Sequence, residues 1–340
     1  MRFTVTGSGP AGSAAAIAGV LEGASVELIE KSRFPRHKVC GEFLSPEIAP
    51  LLEQLGVAGV FAAAGPASIR RMSIQFGGRE KCAMLPEPAF GLSRFAFDKL
   101  LYDRALGAGA GIASGTGFSL WAVAPGPAEA RVIATGRRAS APARSRGRRL
   151  FGFKAHFRGP ANDTIELHFF GEGYVGVSAI EGGLTNVCGL AAESALARIG
   201  FEYDELLATV PSLAGRVRPL ERAMEWLTTG PLIFGNRFSE PADPDVYYAG
   251  DALSFVDPFT GSGMYCAVLT GSIAGRNAAR GLGSAEHLRQ CRDALGRPFA
   301  FASLFRNAIT SGWAQRVAPF VPAALLYRLT RPKNRPALAR

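Results

Sequence analysis

The sequence predicts an α/β fold, α+β overall, with helices at its C-terminal end. Three observations support this prediction. Residues 3–6 form an apolar β-prone run that leads into the glycine-rich turn at 7–12 and an alanine-rich helical stretch ending at Leu21. Segments 150–157, 164–170, 174–180 and 185–191 are rich in Phe, Val, Ile and Thr, with turn residues between them. Residues 284–329 carry apolar side chains at the three- and four-residue spacing of a helix.

Composition indicates a globular protein without a metal site. The chain has 340 residues, of which 48% are hydrophobic, so it can bury a large core. Its five cysteines are Cys40, Cys82, Cys188, Cys266 and Cys291. They form no Cys-x-x-Cys pair, and the four histidines lack metal-ligand spacing, so we predict neither a disulfide framework nor a bound metal. Unpaired thiols favour a reducing cytoplasm.

The formal net charge of +10 comes from two acid-free segments. Residues 137–149 hold six arginines, and residues 313–340 hold five arginines and one lysine. No nucleic-acid-binding motif lies beside them, so we expect no nucleic-acid partner. Segment 313–340 also combines apolar and basic side chains, which indicates either peripheral contact with an anionic inner membrane face or a packed helix with a solvated basic tail. No leader peptide or transmembrane segment is predicted.

The first thirty residues predict a dinucleotide site. Gly7 allows a tight turn, Gly9 allows the backbone to approach a pyrophosphate, and Gly12 allows close helix–strand packing. Pro10 and Ala11 lie in this turn, and the helix predicted after it, residues 13–21, has N-terminal N–H groups that favour phosphate. A second strand, residues 25–29, ends at Glu30, whose carboxylate can accept ribose hydroxyls, and Lys31 follows it. This pattern leaves NAD and FAD as alternatives.

Three further segments separate these alternatives. They are Phe34-Pro35-Arg36-His37-Lys38-Val39-Cys40-Gly41-Glu42, then Gly91-Leu92-Ser93-Arg94, then Gly250-Asp251 followed by Pro258-Phe259-Thr260-Gly261-Ser262-Gly263-Met264. Together with the N-terminal turn, they resemble the geranylgeranyl reductase branch of flavoproteins that share the p-hydroxybenzoate hydroxylase fold. Flavin-dependent halogenases have a similar second segment. The resemblance covers about residues 1–285 and implies FAD as the cofactor.

The resemblance also implies which part of the cofactor each residue contacts. It assigns Gly250 and Asp251 to the FAD pyrophosphate and ribityl chain. It places Pro258, Gly261 and Gly263 along the flavin ring, and it counts Ser262 and Met264 of the same segment among the cofactor-binding residues. Arg36, Cys40, Gly41 and Arg94 are expected near the cofactor. An alternative interpretation is that Arg36 only solvates a loop and Arg94 only caps a surface helix.

The same resemblance implies two interleaved domains. A Rossmann-like FAD-binding domain is expected from residues 1–68, 92–149 and 236–285. An inserted antiparallel β-sheet substrate domain is expected from 69–91 and 150–235, and a C-terminal helical segment from 286–340.

Cys40 is the candidate catalytic residue. Reduction of an alkene by a flavin needs a proton donor beside the hydride, and a thiol near the flavin can act as one. We expect the neighbouring His37 and Lys38 to lower the pKa of the Cys40 thiol. The alternative is that Cys40 only fills space in a tight turn.

Two departures from the relatives bear on the reaction. Aromatic hydroxylases carry an Asp-Gly pair where this chain has Thr135-Gly136, so direct docking of NAD(P)H is in doubt and the reductase branch is favoured. The Tyr-x-Trp-x-Phe-Pro signature of the reductases, and the corresponding halogenase signature, retain only Tyr174 here. Halogenation is therefore disfavoured and prenyl-specific binding stays open.

The sequence thus predicts an FAD-dependent oxidoreductase that acts on a bulky lipophilic or aromatic small molecule by hydride transfer at flavin N5. The alternatives are an FAD-dependent monooxygenase and a non-catalytic flavin-binding adaptor. The external electron donor, NAD(P)H or a reduced protein carrier, is left open.

Overall fold

The computed structural model describes residues 1–76, 78–113, 129–137, 149–232, 235–236, 243–255 and 261–296. The strands in these ranges are β1 (Arg2–Thr6), β2 (Ser25–Ile29), β3 (Phe43–Leu44), β4 (Ala67–Phe76), β5 (Arg79–Gly91), β6 (Gly111–Ala113), β7 (Ala130–Ile133), β8 (Leu150–Arg158), β9 (Thr164–Phe170), β10 (Gly173–Ala179), β11 (Leu184–Ala192), β12 (Glu221–Arg222), β13 (Leu227–Leu232), β14 (Gly235–Asn236), β15 (Val246–Tyr248) and β16 (Ser254–Phe255).

The α-helices in the same ranges are α1 (Pro10–Leu21), α2 (Ala49–Gln54), α3 (Ala58–Ala63), α4 (Arg94–Gly107), α5 (Glu193–Arg198), α6 (Tyr203–Thr209), α7 (Pro211–Val217) and α8 (Gly263–Arg280). Residues 284–296 are helical as well. None of the described helices is long and apolar enough to cross a bilayer. Within the described ranges, no cluster of His, Cys, Asp and Glu side chains has the geometry of a metal site.

The first sheet is parallel and has the strand order β15-β7-β1-β2-β6. Its strands are apolar because both faces are covered, and Phe3, Val5 and Leu28 are fully buried. Helices α1 and α8 cross with their backbones in contact. A Cβ at Gly271 would lie only 2.0 Å from the carbonyl oxygen of Ala11, so glycine is required at this crossing.

The second sheet has the strand order β12-β8-β11-β10-β9-β4-β5-β3, with β13 also paired to β8. It is mixed rather than wholly antiparallel as predicted, because β4 and β9 pair in parallel. Parallel neighbours need a long crossover connection. Here that connection contains β5, α4 and the first-sheet strands β6 and β7. One face of the sheet packs against α6 and α7, and the other faces the first sheet's side of the molecule.

Most predicted elements are confirmed, with shifted ends. The four predicted strands between 150 and 191 correspond to β8–β11. Helix α1 begins at Pro10 rather than residue 13, and α4 begins at Arg94 because the Ser93 hydroxyl accepts a hydrogen bond from Ala96 N at 3.1 Å. Of the predicted helical stretch 284–329, the part beyond 296 lies outside the described residues. The division into domains remains a prediction.

Candidate functional site

A cavity of about 640 Å³ lies between the first sheet and the second. The residues predicted to bind the cofactor that line this chamber are Gly7, Gly9, Pro10, Ala11, Glu30, Lys31, Arg36, Cys40, Gly41, Arg94, Gly250, Asp251, Gly261, Gly263 and Met264. Gly12 and Ser262 are buried beside it without lining it. Pro258 lies outside the described residues. Segments far apart in the chain therefore meet at one site.

The glycine turn after β1 has the shape that a pyrophosphate needs. Gly7 has a φ of +92°, and a Cβ there would lie 2.5 Å from the Ala134 carbonyl oxygen. A Cβ at Gly12 would lie 1.7 Å from the Gly7 carbonyl oxygen. Gly9 caps α1 without a side-chain hydrogen bond, so the helix N-terminus opens into the chamber. These residues fit a dinucleotide, since side chains in their place would close the cradle.

Glu30 lies at the end of β2, beside this turn. Its Oε2 accepts hydrogen bonds from the Ser8 N–H at 2.9 Å and the Ser8 hydroxyl at 3.0 Å, and its Oε1 accepts one from the Ser32 N–H at 2.7 Å. Burial raises the pKa of Glu30, but these donors and Arg36 outweigh it and hold the pKa below its ordinary value. The side chain is therefore a fixed carboxylate with lone pairs remaining for a ribose.

Asp98 holds the two predicted cofactor arginines together. It accepts from Arg94 Nε at 2.5 Å and Arg94 Nη2 at 2.7 Å, and from Arg36 Nη1 at 3.1 Å. The Asp98 side chain is 0% exposed, whereas those of Arg94 and Arg36 are 17% and 18% exposed. Arg94 Nη2 lies 3.8 Å from the position that a Cβ on Gly9 would occupy. Because Arg94 lies over the glycine turn, it does more than cap a helix, which Ser93 does. Sequence reasoning missed Asp98, although its i, i+4 spacing from Arg94 is a detectable signal.

Asp251 and Arg137 face each other across the same chamber. Burial among protein atoms raises the pKa of Asp251, while Arg94 and Arg137 oppose that rise. The side chain opens into the cavity rather than into the core. Arg137 follows β7 and donates a hydrogen bond to Thr229 Oγ1 on β13. Sequence reasoning identified Thr135 in the segment after β7 but missed Arg137, two residues further on, which connects the two sheets.

A buried polar cluster, formed by Glu42, Lys154 and His156, lies against the chamber wall. Lys154 Nζ donates to Glu42 Oε1, and His156 Nε2 lies 2.7 Å from Glu42 Oε2. The Arg94 N–H donates to Glu42 Oε1 at 2.6 Å. Burial raises the pKa of Glu42, but His156 and Lys154 outweigh it and hold the pKa below its ordinary value. Lys154 and His156 alternate with apolar residues along β8, a pattern that places both on one face.

Cys40 lines the chamber, but the expected direction of its pKa is wrong. Burial raises the pKa of the Cys40 thiol, and the opposing effect of Arg94 and Lys154 is smaller. His37 contributes little positive charge, because burial lowers its pKa and its ring stacks on Phe95 at 4.7 Å. The thiol is therefore held in its protonated form at neutral pH. A protonated thiol is the form that a proton donor needs.

The far half of the chamber is apolar. Three strand-to-strand rows of the second sheet face it, and their apolar members are Met72, Ile74, Ile165, Leu167, Tyr174 and Leu190. Gly176 lies at the middle of this floor, paired with Cys188 on β11 and Leu167 on β9. A Cβ at Gly176 would make only ordinary contacts at 3.5 Å. Because Gly176 has no side chain, space stays open between the part of the chamber that Cys40 lines and the part that the apolar side chains line.

Comparison with known proteins by sequence gives short matches. No family model matches the chain. A menaquinone reductase of Mycolicibacterium smegmatis is 44% identical over 54 residues, which span 16% of this chain and 13% of that protein. A menaquinone reductase of Mycobacterium tuberculosis is 47% identical over 53 residues, with the same coverage.

Solved structures match nearly the whole chain. A triple mutant of the flavin-dependent brominase Bmp2 has a TM-score of 0.75 at 19% identity, over 96% of this chain and 93% of its own. A flavoprotein/dehydrogenase of Cytophaga hutchinsonii has a TM-score of 0.73 at 18% identity, over 97% and 91%. The halogenase PltM in complex with phloroglucinol and FAD has a TM-score of 0.70 at 19% identity, over 91% and 77%. The fold is that of flavin-dependent halogenases and flavoprotein dehydrogenases.

Proposed function

We propose that the protein binds FAD and reduces, or in the reverse direction dehydrogenates, a bulky lipophilic or aromatic small molecule by hydride transfer at flavin N5. One observation carries this proposal: the glycine turn, the Cys40 loop and the apolar floor of the second sheet line a single continuous chamber. The FAD-dependent relatives in fold and the partial likeness to menaquinone reductases support it. We also propose that the protein belongs to the geranylgeranyl reductase-like group of these flavoproteins.

The residues of the chain have distinct tasks in this proposal. The turn after β1 holds the pyrophosphate, Glu30 holds a ribose, and Asp251 accepts ribityl hydroxyls. Arg94, fixed by Asp98, balances phosphate charge. When bound, FAD supplies the hydride at N5. The protonated Cys40 thiol donates the accompanying proton to the substrate, and the apolar floor excludes water from the reacting carbon.

The floor suggests the shape of the substrate. Gly176 opens a flat area flanked by Cys188 on one side and Leu167 on the other. A planar ring lies flat on such a glycine, while an attached apolar chain extends toward Met72 and Ile74. A lipophilic quinone has both parts, and the menaquinone reductases that resemble this chain act on one.

A monooxygenase is the second candidate, because a water-excluding chamber also suits oxygen chemistry on a flavin and no protein nucleophile is needed. The electron donor is NAD(P)H or a reduced protein carrier.

Contact of residues 313–340 with an anionic membrane is a further part of the proposal. Replacing Arg316, Arg328 and Arg331 with Gln in the full chain tests it, since unchanged sedimentation with anionic liposomes would exclude that contact.

The test of the reaction begins with FAD-loaded protein reduced under nitrogen and then mixed with a menaquinone. The proposal predicts that the flavin is reoxidised without oxygen. It also predicts that Gly176→Phe binds FAD normally but loses this reoxidation, whereas Gly171→Phe keeps it. Gly171 lies in the β9–β10 turn, where a Cβ would have no neighbour within 4 Å. Reoxidation only by oxygen, with hydroxylated substrate, would establish the monooxygenase instead, and inertness toward all acceptors would indicate the adaptor.

A further inference from the structure

The loop that carries Cys40 is attached to the second sheet at three successive points. Lys154 Nζ donates to the Lys38 carbonyl oxygen at 3.2 Å, Asn186 Nδ2 donates to the Cys40 carbonyl oxygen at 3.1 Å, and His156 bonds the Glu42 carboxylate. These side chains belong to neighbouring register pairs of β8 and β11, in which Asn186 opposes His156 and Cys188 opposes Lys154. The position of the loop is therefore fixed by side chains of the second sheet.

Glu42 has an unusual backbone at the end of this loop. Its φ is +55°, a left-handed value that residues other than glycine seldom adopt. Both of its carboxylate oxygens are occupied by Lys154, His156 and the Arg94 N–H, and the residue is 0% exposed. In this conformation the Glu42 N–H donates to Cys40 Sγ at 3.4 Å. Lys154 and His156 thus hold Glu42 in a strained backbone conformation that directs its N–H at the Cys40 thiol.

We infer that Glu42, Lys154 and His156 are positioning residues that hold the Cys40 thiol toward the chamber, and that the Lys154 ammonium balances the charge left when the thiol gives up its proton. This inference rests on the proposed function for the use of that proton. In the step, the Cys40 S–H bond breaks and a bond from that hydrogen to the substrate forms, while the hydride supplies the electron pair for reduction. The resulting thiolate faces the Glu42 N–H and the Lys154 ammonium, and water later returns a proton to it.

The charges around Cys40 make the inference testable without turnover. Arg94 on α4 and Lys154 on β8 favour the thiolate, whereas the Glu42 carboxylate disfavours it. Cys188 on β11 is an uncharged neighbour, and burial raises the pKa of its thiol too. His37 and Lys38 complete the surroundings on the loop itself, and burial lowers the pKa of each. Removing Lys154 or Glu42 therefore changes the local field in opposite directions.

The experiment measures the rate of Cys40 alkylation by N-ethylmaleimide against pH, resolved by peptide mass spectrometry in the FAD-loaded full chain. Lys154→Met should move the pH midpoint upward by about one unit, and Glu42→Gln should move it downward by about one unit. Lys99→Met, which removes an exposed lysine paired with Asp103, should leave it unchanged. A cluster with only a structural role would loosen the loop in both variants and shift the two curves in the same direction. That outcome, or two unchanged midpoints, overturns the inference.

A milder variant tests the positioning part separately. Asn186→Ala removes the hydrogen bond to the Cys40 carbonyl oxygen and no charge. It should raise the limiting alkylation rate at high pH at least threefold without moving the midpoint, and an unchanged limiting rate overturns the inference even if a charge variant does not fold. These readouts need no substrate, so a failed reductase assay leaves them interpretable, and their failure leaves the proposed reaction open to its own test.

Discussion

Asp98 offers the sharpest test of how the cofactor arginines are held. Asp98→Asn keeps the shape of the side chain but removes its charge. The carboxylate is 0% exposed and accepts three hydrogen bonds, from Arg94 at 2.5 and 2.7 Å and from Arg36 at 3.1 Å. Removing one partner from a buried, hydrogen-bonded ion pair destabilises a protein by about 3–5 kcal/mol. Because both arginines are less than one-fifth exposed, we expect the free energy of unfolding to fall by about 3 kcal/mol.

The assay is urea unfolding of the FAD-free chain, followed by FAD titration under conditions where the variant is still folded. The Kd for FAD should rise at least about tenfold, which corresponds to about 1.4 kcal/mol for a misdirected Arg94. Asp103→Asn is the matched control, because Asp103 lies on the same helix in an exposed pair with Lys99. It should change stability by less than about 0.5 kcal/mol. If Asp98→Asn changed stability as little as the control does, the ion pairs of Asp98 with Arg94 and Arg36 would contribute nothing to the free energy of unfolding.

Three further predictions concern other parts of the site and fold. Gly12→Ala should abolish FAD binding, because a Cβ there would meet the Gly7 carbonyl oxygen at 1.7 Å. Gly59→Ala in α3, where the space around the Cβ is open, should leave the stability of the protein unchanged or raise it. Equal FAD affinity in both variants would contradict the role of the glycine turn in FAD binding. Burial lowers the pKa of His287 to about 4, so the unfolded state binds more protons below pH 6.5 and stability should fall as pH falls from 6.5 to 4, by about 3 kcal/mol. Unfolding of His287→Gln across this range should lack that loss, and an identical pH dependence in the variant would refute it. Lys154→Met should also destabilise the protein by about 3 kcal/mol, measured by urea unfolding at pH 7, since it removes the lysine partner of the buried Glu42 carboxylate and leaves only His156 and the Arg94 N–H beside it.

Local sequence was sufficient to predict β1, α1, β2 and the cofactor turn. The roles of Gly7 and Gly12 follow from a strand, a turn and a helix that are contiguous in the chain, so the structure shows the backbone that the sequence implied. The strands β8–β11 were also predicted, because alternation and turn residues are local signals. The parallel pairing of β4 with β9 was not, because it depends on which strand returns beside which after a long crossover.

The groups around Cys40 show what sequence cannot supply. The neighbours His37 and Lys38 suggested a lowered thiol pKa, yet the strongest influence is burial, which no short sequence reveals. Lys154 reaches the loop from more than one hundred residues away in the chain. Their contact depends on tertiary packing of two sheets, and a single sequence holds no local signal for it.

The proposed chemistry depends above all on the identity of the cofactor. Titrating the cofactor-free full chain with FAD, FMN and NAD in a calorimeter tests it. We expect one FAD per chain and an affinity for FMN at least about one hundredfold weaker, because FMN lacks the adenosine portion that the Glu30 end of the chamber would hold. Loss of those contacts then corresponds to about 2.7 kcal/mol of binding free energy. Equal affinity for FAD and FMN, or a preference for NAD, would show that the chamber is not an FAD site.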